Sequence, residues 1–272
     1  MRAARIGFAL AASLLATHAS GACTPIRLGY VDQHRPPYFI GNGSTEAERP
    51  GATVDLIREM AAASGCTVLA VRLPPLRLRQ ALVSKQVDAT LMNATPADAA
   101  EFALPLHADG KLDAARAVRM YTVVFVRAAD QIALHTDPRD YFAVHRLGTN
   151  NGASLAAQLR AEGFRVDDGA HDGARNLEKL ARHRIDGYAA TMVAPTRMDA
   201  SVEAKFGAQL VRLKTPLRVH HFWLAFSKPY YAANRAAVET MWTWMGAHGD
   251  QRFNWHVDQY ANVPLAPPEK PR

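Results

Sequence analysis

One stretch of this chain occurs twice. LRQALVSKQVDATLMNATP and NLEKLARHRIDGYAATMVAP superimpose at an offset of 98 residues, with Leu82 falling on Leu180 and Val87-Asp88 on Ile185-Asp186. Each copy reads as a helix running into a strand. A unit of that kind cannot bury its apolar face alone, so its repetition argues for two similar lobes rather than one continuous sheet.

The flanking sequence has the same grammar. Strands are expected at Ile26 to Val31, Thr67 to Val71 and Val87 to Met92, with helices at Val54 to Ser64 and about Leu76 to Ser84. Thr53 is the expected N-cap of the first helix and Gly65 its C-terminal stop. Strands alternating with helices of about ten residues predict a mostly parallel sheet covered on both faces. In the second half LGTNNGASLAAQLRAEGF reads as strand end, turn and helix, stopping at Gly163. Two strongly β-forming segments, Met120 to Val126 and Leu217 to Lys228, read as crossings between the lobes, and hence as a hinge. Two further helical stretches, Ala233 to Met245 and Gln251 to Tyr260, return the chain to the first lobe. The expected division is residues 1–22 as a leader, 23–118 and 220–262 as lobe one, 119–219 as lobe two, and 263–272 as a flexible Pro-rich tail.

The leader expectation rests on Arg2 and Arg5, the apolar run Ile6 to Ala16 and the small residues up to Ala22. Cleavage near Ala22 would deliver the protein to the periplasm and lower the formal charge from +7 to +5. The run is shorter than the roughly 18 to 20 apolar residues a membrane helix needs. A mild basic excess without Lys/Arg runs argues against nucleic acid as a partner.

The chain has two cysteines. Cys23 precedes the first strand and Cys66 the second, and in a right-handed β-α-β unit those strands run parallel, which puts both thiols at one end of the sheet. An oxidising compartment then predicts a Cys23–Cys66 disulfide. The alternatives are a free buried thiol and a lipid anchor on Cys23, although Ser20 stands where a lipobox places Leu.

The runs PPYF, GATVDLIREMAAASG, LPPLRLRQALVSKQVDATL, LGTNNGASL, LARHRIDGYAA and LAFSKPYYAANRAAVETM, in that order and spacing, resemble the family-3 extracytoplasmic solute-binding proteins. These type II periplasmic receptors include the polar amino-acid binders of ABC transporters. The resemblance runs from Ile26 to about Val263. It implies an α/β, two-lobed periplasmic-binding-protein-like II fold, with a small polar or anionic ligand held between lobes by a monomer. An inner-membrane ABC permease is the implied partner.

In open α/β sheets ligands bind beyond the carboxyl ends of the strands. The repeat puts Asn93 and Thr191 there, one per lobe, with Thr95 close by; capping a turn is the plainer role for Asn93 and Thr95. The turn containing Asn151 and Ser154 opens a helix, whose free N–H groups favour an anionic ligand group, or Ser154 is simply an N-cap. The resemblance implies that Tyr38, after the stiff Pro36-Pro37 pair, covers an apolar part of the ligand, though Tyr38 or Phe39 also fits a core role. Arg77 partly matches an Arg found in a subgroup of the family and would pair with an anion, or be a solvated helix charge. His220 and His221 adjoin on a strand and point to opposite faces. One of them, taken here as His221, is expected to face the cleft.

Departures from the family matter as much. No Lys or Arg occurs between Asp88 and Lys111, where amino-acid binders carry an Arg for the α-carboxylate; Asp98 stands about there instead. Thr191 occupies the place of the acid that holds the α-ammonium. Without those clamps a standard α-amino acid is not the expected ligand, and Asp98, Glu101 or Asp32 are candidates for holding an amine or cation. No cofactor, metal site or catalytic residue is expected: there is no Ser-His-Asp order, phosphate loop or nucleophile elbow, and no acid at ligand spacing beside the histidine pair. The rivals are a dehydratase-like enzyme on the same fold, with Glu101 as acid, and a sensor or scaffold lobe without a transport role.

Overall fold

The computed structural model describes residues 23–152 and 154–264, so the expected leader lies outside the described residues, as does most of the expected tail. The chain runs through β1 (Ile26–Val31), α1 (Ala52–Ala63), β2 (Val68–Leu73), α2 (Pro75–Val83) and β3 (Ala89–Met92), then a short β4 (Phe102–Ala103) and the long β5 (Val118–Arg127). Next come α3 (Pro138–Phe142), β6 (Arg146–Asn150), α4 (Ser154–Ala161), β7 (Arg165–Ala170), α5 (Gly173–Ala181), β8 (Gly187–Met192), α6 (Asp199–Phe206) and β9 (Leu210–Arg212). Long β10 (Arg218–Ser227), α7 (Lys228–Ala233) and α8 (Arg235–Gln259) complete it.

The strand order is β2-β1-β3-β10-β5-β8-β6-β7. β1 pairs in parallel with β2 and β3, and β6 in parallel with β7 and β8, so each half of the repeat is a β-α-β assembly. β10 joins the halves by dividing its partners. Its residues Arg218 to Phe222 pair antiparallel with β5, and Trp223 to Phe226 pair antiparallel with β3. The two β-rich segments are thus the seam between lobes, each ten residues long.

Near-continuous apolar sequence in β1 and β5 suits strands buried on both faces. α1 packs against α8 and β2, with its Val54, Leu56, Ile57, Met60 and Ala61 buried. The residue at its N-cap is Gly51, not Thr53, which is buried inside the first turn. Glycine is required there: φ is +117°, and a Cβ would sit 2.3 Å from the carbonyl oxygen of Tyr38. The two C-terminal helical stretches are one helix, α8, of 25 residues. Gly246 does not break it; its missing side chain lets the backbone of Ala115 approach, and a Cβ would lie 2.7 Å from that carbonyl oxygen.

α8 packs along α1, where Glu59 forms an ion pair with Arg252, whose Nη2 donates to it at 3.0 Å, and contacts His256 Nε2 at 2.7 Å, while the Tyr260 hydroxyl donates to Asp55 at 2.6 Å. Burial draws Glu59 upward, but Arg252 and His256 outweigh it and hold the carboxyl below its usual range. Cys23 and Cys66 form a disulfide across the starts of β1 and β2, with Cα atoms 5.0 Å apart. Among the described residues no helix is long and apolar enough to cross a membrane.

Candidate functional site

A cavity of about 510 Å³ opens where the C-terminal ends of β1 and β3 face those of β6 and β8. A hollow of about 740 Å³ lies on the outer surface beside Arg139, Glu162 and Arg218, but it is shallow and its charges are paired with one another. Strand ends from both lobes converge only on the first, which is where this architecture places a ligand.

Lobe one contributes the loop after β1. Arg35 and Phe39 form an antiparallel bridge, and the tight turn between them presents Arg35, Pro36 and Tyr38 to the cavity. Tyr38 also reaches across: its hydroxyl accepts from Val193 N, just beyond β8, at 2.9 Å, and its ring packs edge-on against Phe253 at 5.8 Å. Burial pushes the Tyr38 phenol well above its ordinary value. The residue is at once cavity wall and core, so the two roles the sequence left open coincide.

Asn93, at the end of β3, lines the cavity with both ends of its amide engaged. Nδ2 donates to the His221 carbonyl at 2.7 Å, and Oδ1 accepts from Gln158 Nε2 on α4 at 3.1 Å. Thr191 lines the opposite wall, sharing a 3.0 Å hydrogen bond with Thr122 of β5; Thr122 in turn shares one of 3.2 Å with His220 Nε2. His220 faces the cavity, whereas the ring of His221 tilts against Trp223 with centroids 5.9 Å apart and is not part of the lining. Burial, then the nearby Arg218 and His221, lower the His220 pKa to about 4, and its Nδ1 meets no partner among the described residues.

Besides His221, three expected site residues stand apart from the cavity lining. Thr95 caps the short helical turn Pro96–Ala100, its N–H and hydroxyl both donating to Asp98. Arg77 is exposed on the outer face of α2, while Arg79, two residues on, turns to the cavity wall, paired with Asp98 and with Glu101 at 3.0 Å. Burial pulls Asp98 upward, but the Thr95 and Arg79 donors prevail and hold it below the usual carboxylate range. Asn151 spends its N–H on the Ala170 carbonyl at 2.8 Å and its side chain on the Asp168 carbonyl at 3.1 Å. Its neighbours Asn150 and Gly152 line the cavity instead, and Ser154 opens α4 as expected from the turn. None of Asp32, Asp98 or Glu101 lines the cavity.

Sequence reading missed Arg35 and the buried Tyr188, and of the His220–His221 pair it took His221 where His220 lines the cavity. Arg35 donates to Gln33 Oε1 and, at 3.0 Å, to the Asn151 carbonyl. Tyr188 donates its hydroxyl to Asn150 Oδ1 at 3.1 Å. The remaining wall is largely apolar and aromatic, with Phe39, Phe222 and Phe253 among its members, and among the described lining residues there is no Asp or Glu. Among the described residues no cluster of three His, Cys, Asp or Glu could hold a metal.

No family model and no curated protein matches this chain. Solved structures do. A histidine kinase sensor domain with similarity to periplasmic binding proteins is 16% identical, with 90% of this chain and 99% of that one covered and a TM-score of 0.62. The substrate-binding protein of an amino acid ABC transporter is 15% identical, covering 87% and 99%, TM-score 0.56. An ancestral amino-acid-binding protein described as a precursor of cyclohexadienyl dehydratase is 14% identical, covering 88% and 96%, TM-score 0.59. This likeness establishes the architecture: two α/β lobes of the periplasmic-binding-protein kind.

Proposed function

We propose that this chain is an exported receptor that captures a small polar or anionic solute between its lobes and delivers it to an inner-membrane ABC permease. The carrying observation is the cavity at the strand ends, with walls supplied by both lobes and pinned by Tyr38 to Val193 and Asn93 to Gln158. Hydrogen bonds that cross the gap form only when the lobes close, which is how a hinged receptor couples closure to capture. The hinge lies where β10 changes partners, close to the divisions 118/119 and 219/220. The ligand is not a standard α-amino acid, because no carboxylate of the described lining is placed to take an ammonium group.

Small-angle scattering of the exported chain tests this directly. The radius of gyration should shrink on adding the right solute from a panel of organic acids, amines, amino acids and sugars, and the melting temperature should rise with it, since the solute binds only the folded state. A particle whose dimensions no solute changes would count against the reading. The neighbouring dehydratase precursor raises a second reading, turnover. Glu101, its candidate acid, is tied to Arg79 outside the cavity lining, so cyclohexadienyl substrates should not be turned over by the wild type or by Glu101→Gln.

A further inference from the structure

The guanidinium of Arg35 sits at the cavity with two bonds to neutral oxygens, Gln33 Oε1 and the Asn151 carbonyl, and with no ion pair among the described residues. Neither its Nε nor its Nη1 meets an acceptor among those residues. Arg79, the other cavity arginine, is already neutralised by Asp98 and Glu101. Arg72 is buried and likewise lacks a carboxylate, but it spends its Nη atoms on the carbonyls of Ile40, Gly41 and Thr45 and is not part of the cavity lining. Arg35 is therefore the cavity's uncompensated cation. Asp32 and Tyr188 act on it only from a distance, and burial lowers its pKa.

A half-buried cation without a counter-charge is costly, and an anion entering the cavity removes that cost while gaining charge-assisted hydrogen bonds. Two more lining residues, Tyr30 and His220, hold a buried polar atom without a partner among the described residues, the Tyr30 hydroxyl and His220 Nδ1. Around these groups the wall is aromatic and aliphatic: Tyr38, Phe222, Phe253, Leu91, Met120 and Met198. An α-ammonium group would find no carboxylate on that wall and would face Arg35.

We infer that the solute is an organic carboxylate with an apolar, ring-sized body and no ammonium group, its carboxylate held by Arg35. The inference rests on the receptor reading and narrows it.

The test uses 3-phenylpropionate, phenylacetate and hexanoate against L-phenylalanine and phenethylamine, each titrated calorimetrically into the exported chain, with scattering in parallel. At least one carboxylate should bind and contract the particle, while the zwitterion and the amine should not. Arg35→Gln should weaken that carboxylate at least tenfold, the loss expected when a charge-assisted pair is removed. Arg35→Lys, which keeps the charge but not the fork, should retain part of the affinity. Melting curves of both variants test whether they fold, and if Arg35→Gln does not, the Lys variant and the ligand panel still decide. Binding of L-phenylalanine or phenethylamine as tight as that of the carboxylates overturns the inference, as does unchanged affinity in Arg35→Gln or a Kd above about 1 mM for all three carboxylates. If another solute then contracts the particle, the receptor reading stands and only the anion assignment falls; if no solute of any charge does, both fall.

Discussion

The two copies of the repeat solve one structural problem by the same means. In the first lobe Asp88 accepts from the backbone N–H of Arg27 at 2.9 Å, and its own N–H donates to the Arg27 carbonyl at 2.7 Å. In the second, Asp186 accepts from Arg146 N and donates to the Arg146 carbonyl, both at 2.8 Å. Each aspartate thus ties the start of one strand to the start of its parallel neighbour. Just before it an aliphatic residue fills the space left by a glycine in that neighbour, Val87 against Gly29 and Ile185 against Gly148.

The lobes differ in what surrounds the tie. Asp88 receives its cation from the same residue, the half-exposed Arg27, whereas Asp186 borrows the buried Arg127 from β5, which is shared with Asp130. Lobe one alone carries a disulfide and the long α8. At the other end of the strands the copies diverge chemically, Asn93 against Thr191. The repeat maintains the frame at one end of each sheet and leaves the cavity end free to vary.

The comparison breaks first at the disulfide. Replacing Cys23 and Cys66 by Ser should cost about 4 kcal/mol by denaturant unfolding, the chain-entropy value for a loop of this length. A loss below about 1 kcal/mol would show that α8 secures lobe one unaided.

Acid should act on the seam between lobes. Because the folded His220 has a depressed pKa, above pH 6.5 it is neutral in both states and stability is complete. As pH falls from 6.5 towards about 4 the unfolded chain takes up a proton that the fold refuses. The loss reaches up to about 3 kcal/mol near pH 4. Other groups contribute to acid sensitivity, so the measurement is the difference between wild type and His220→Gln, whose stability curve should be flatter across that window.

Smaller effects sharpen the contrast between the two ties. Asp88→Asn should cost about 2 kcal/mol, because it weakens three bonds from Arg27, and Asp186→Asn about 1 kcal/mol, because Arg127 keeps Asp130. The reverse order, read from urea midpoints, would mean that the burial of Arg127 outweighs the number of bonds. Asn93→Ala should cost no more than Asp186→Asn, at about 1 kcal/mol, and show as a shift towards the open particle in scattering.

Much of the frame was legible in the sequence because it depends on local periodicity. The Val87-Asp88 and Ile185-Asp186 copies, the Gly65 stop and the pairing of Cys23 with Cys66 all follow from strand and helix spacing. The two helical stretches expected at Ala233 to Met245 and Gln251 to Tyr260 are one helix, within which Gly246 admits a neighbouring backbone. The site was less legible because it depends on phase. Alternation showed that His220 and His221 oppose each other, but only the pairing of β10 with β5 decides which faces inward. Arg77 and Arg79 differ by two residues on one helix, and the exposed face of α2 is set by the neighbouring Phe102 and Asp98. Arg35 carried no motif; its role comes from the carboxylate it lacks.

The seam strand has a consequence for the order in which the molecule can be completed. β3 waits for residues 223–226 of β10, so the first lobe's sheet keeps an unpaired edge until most of the chain has been synthesised. Strands β5 to β9 are contiguous from 118 to 212 and need nothing from later segments to pair among themselves. The later-synthesised half can therefore mature first on the ribosome or beyond it, and the amino-terminal half, disulfide or not, becomes native only when the last quarter of the polypeptide arrives.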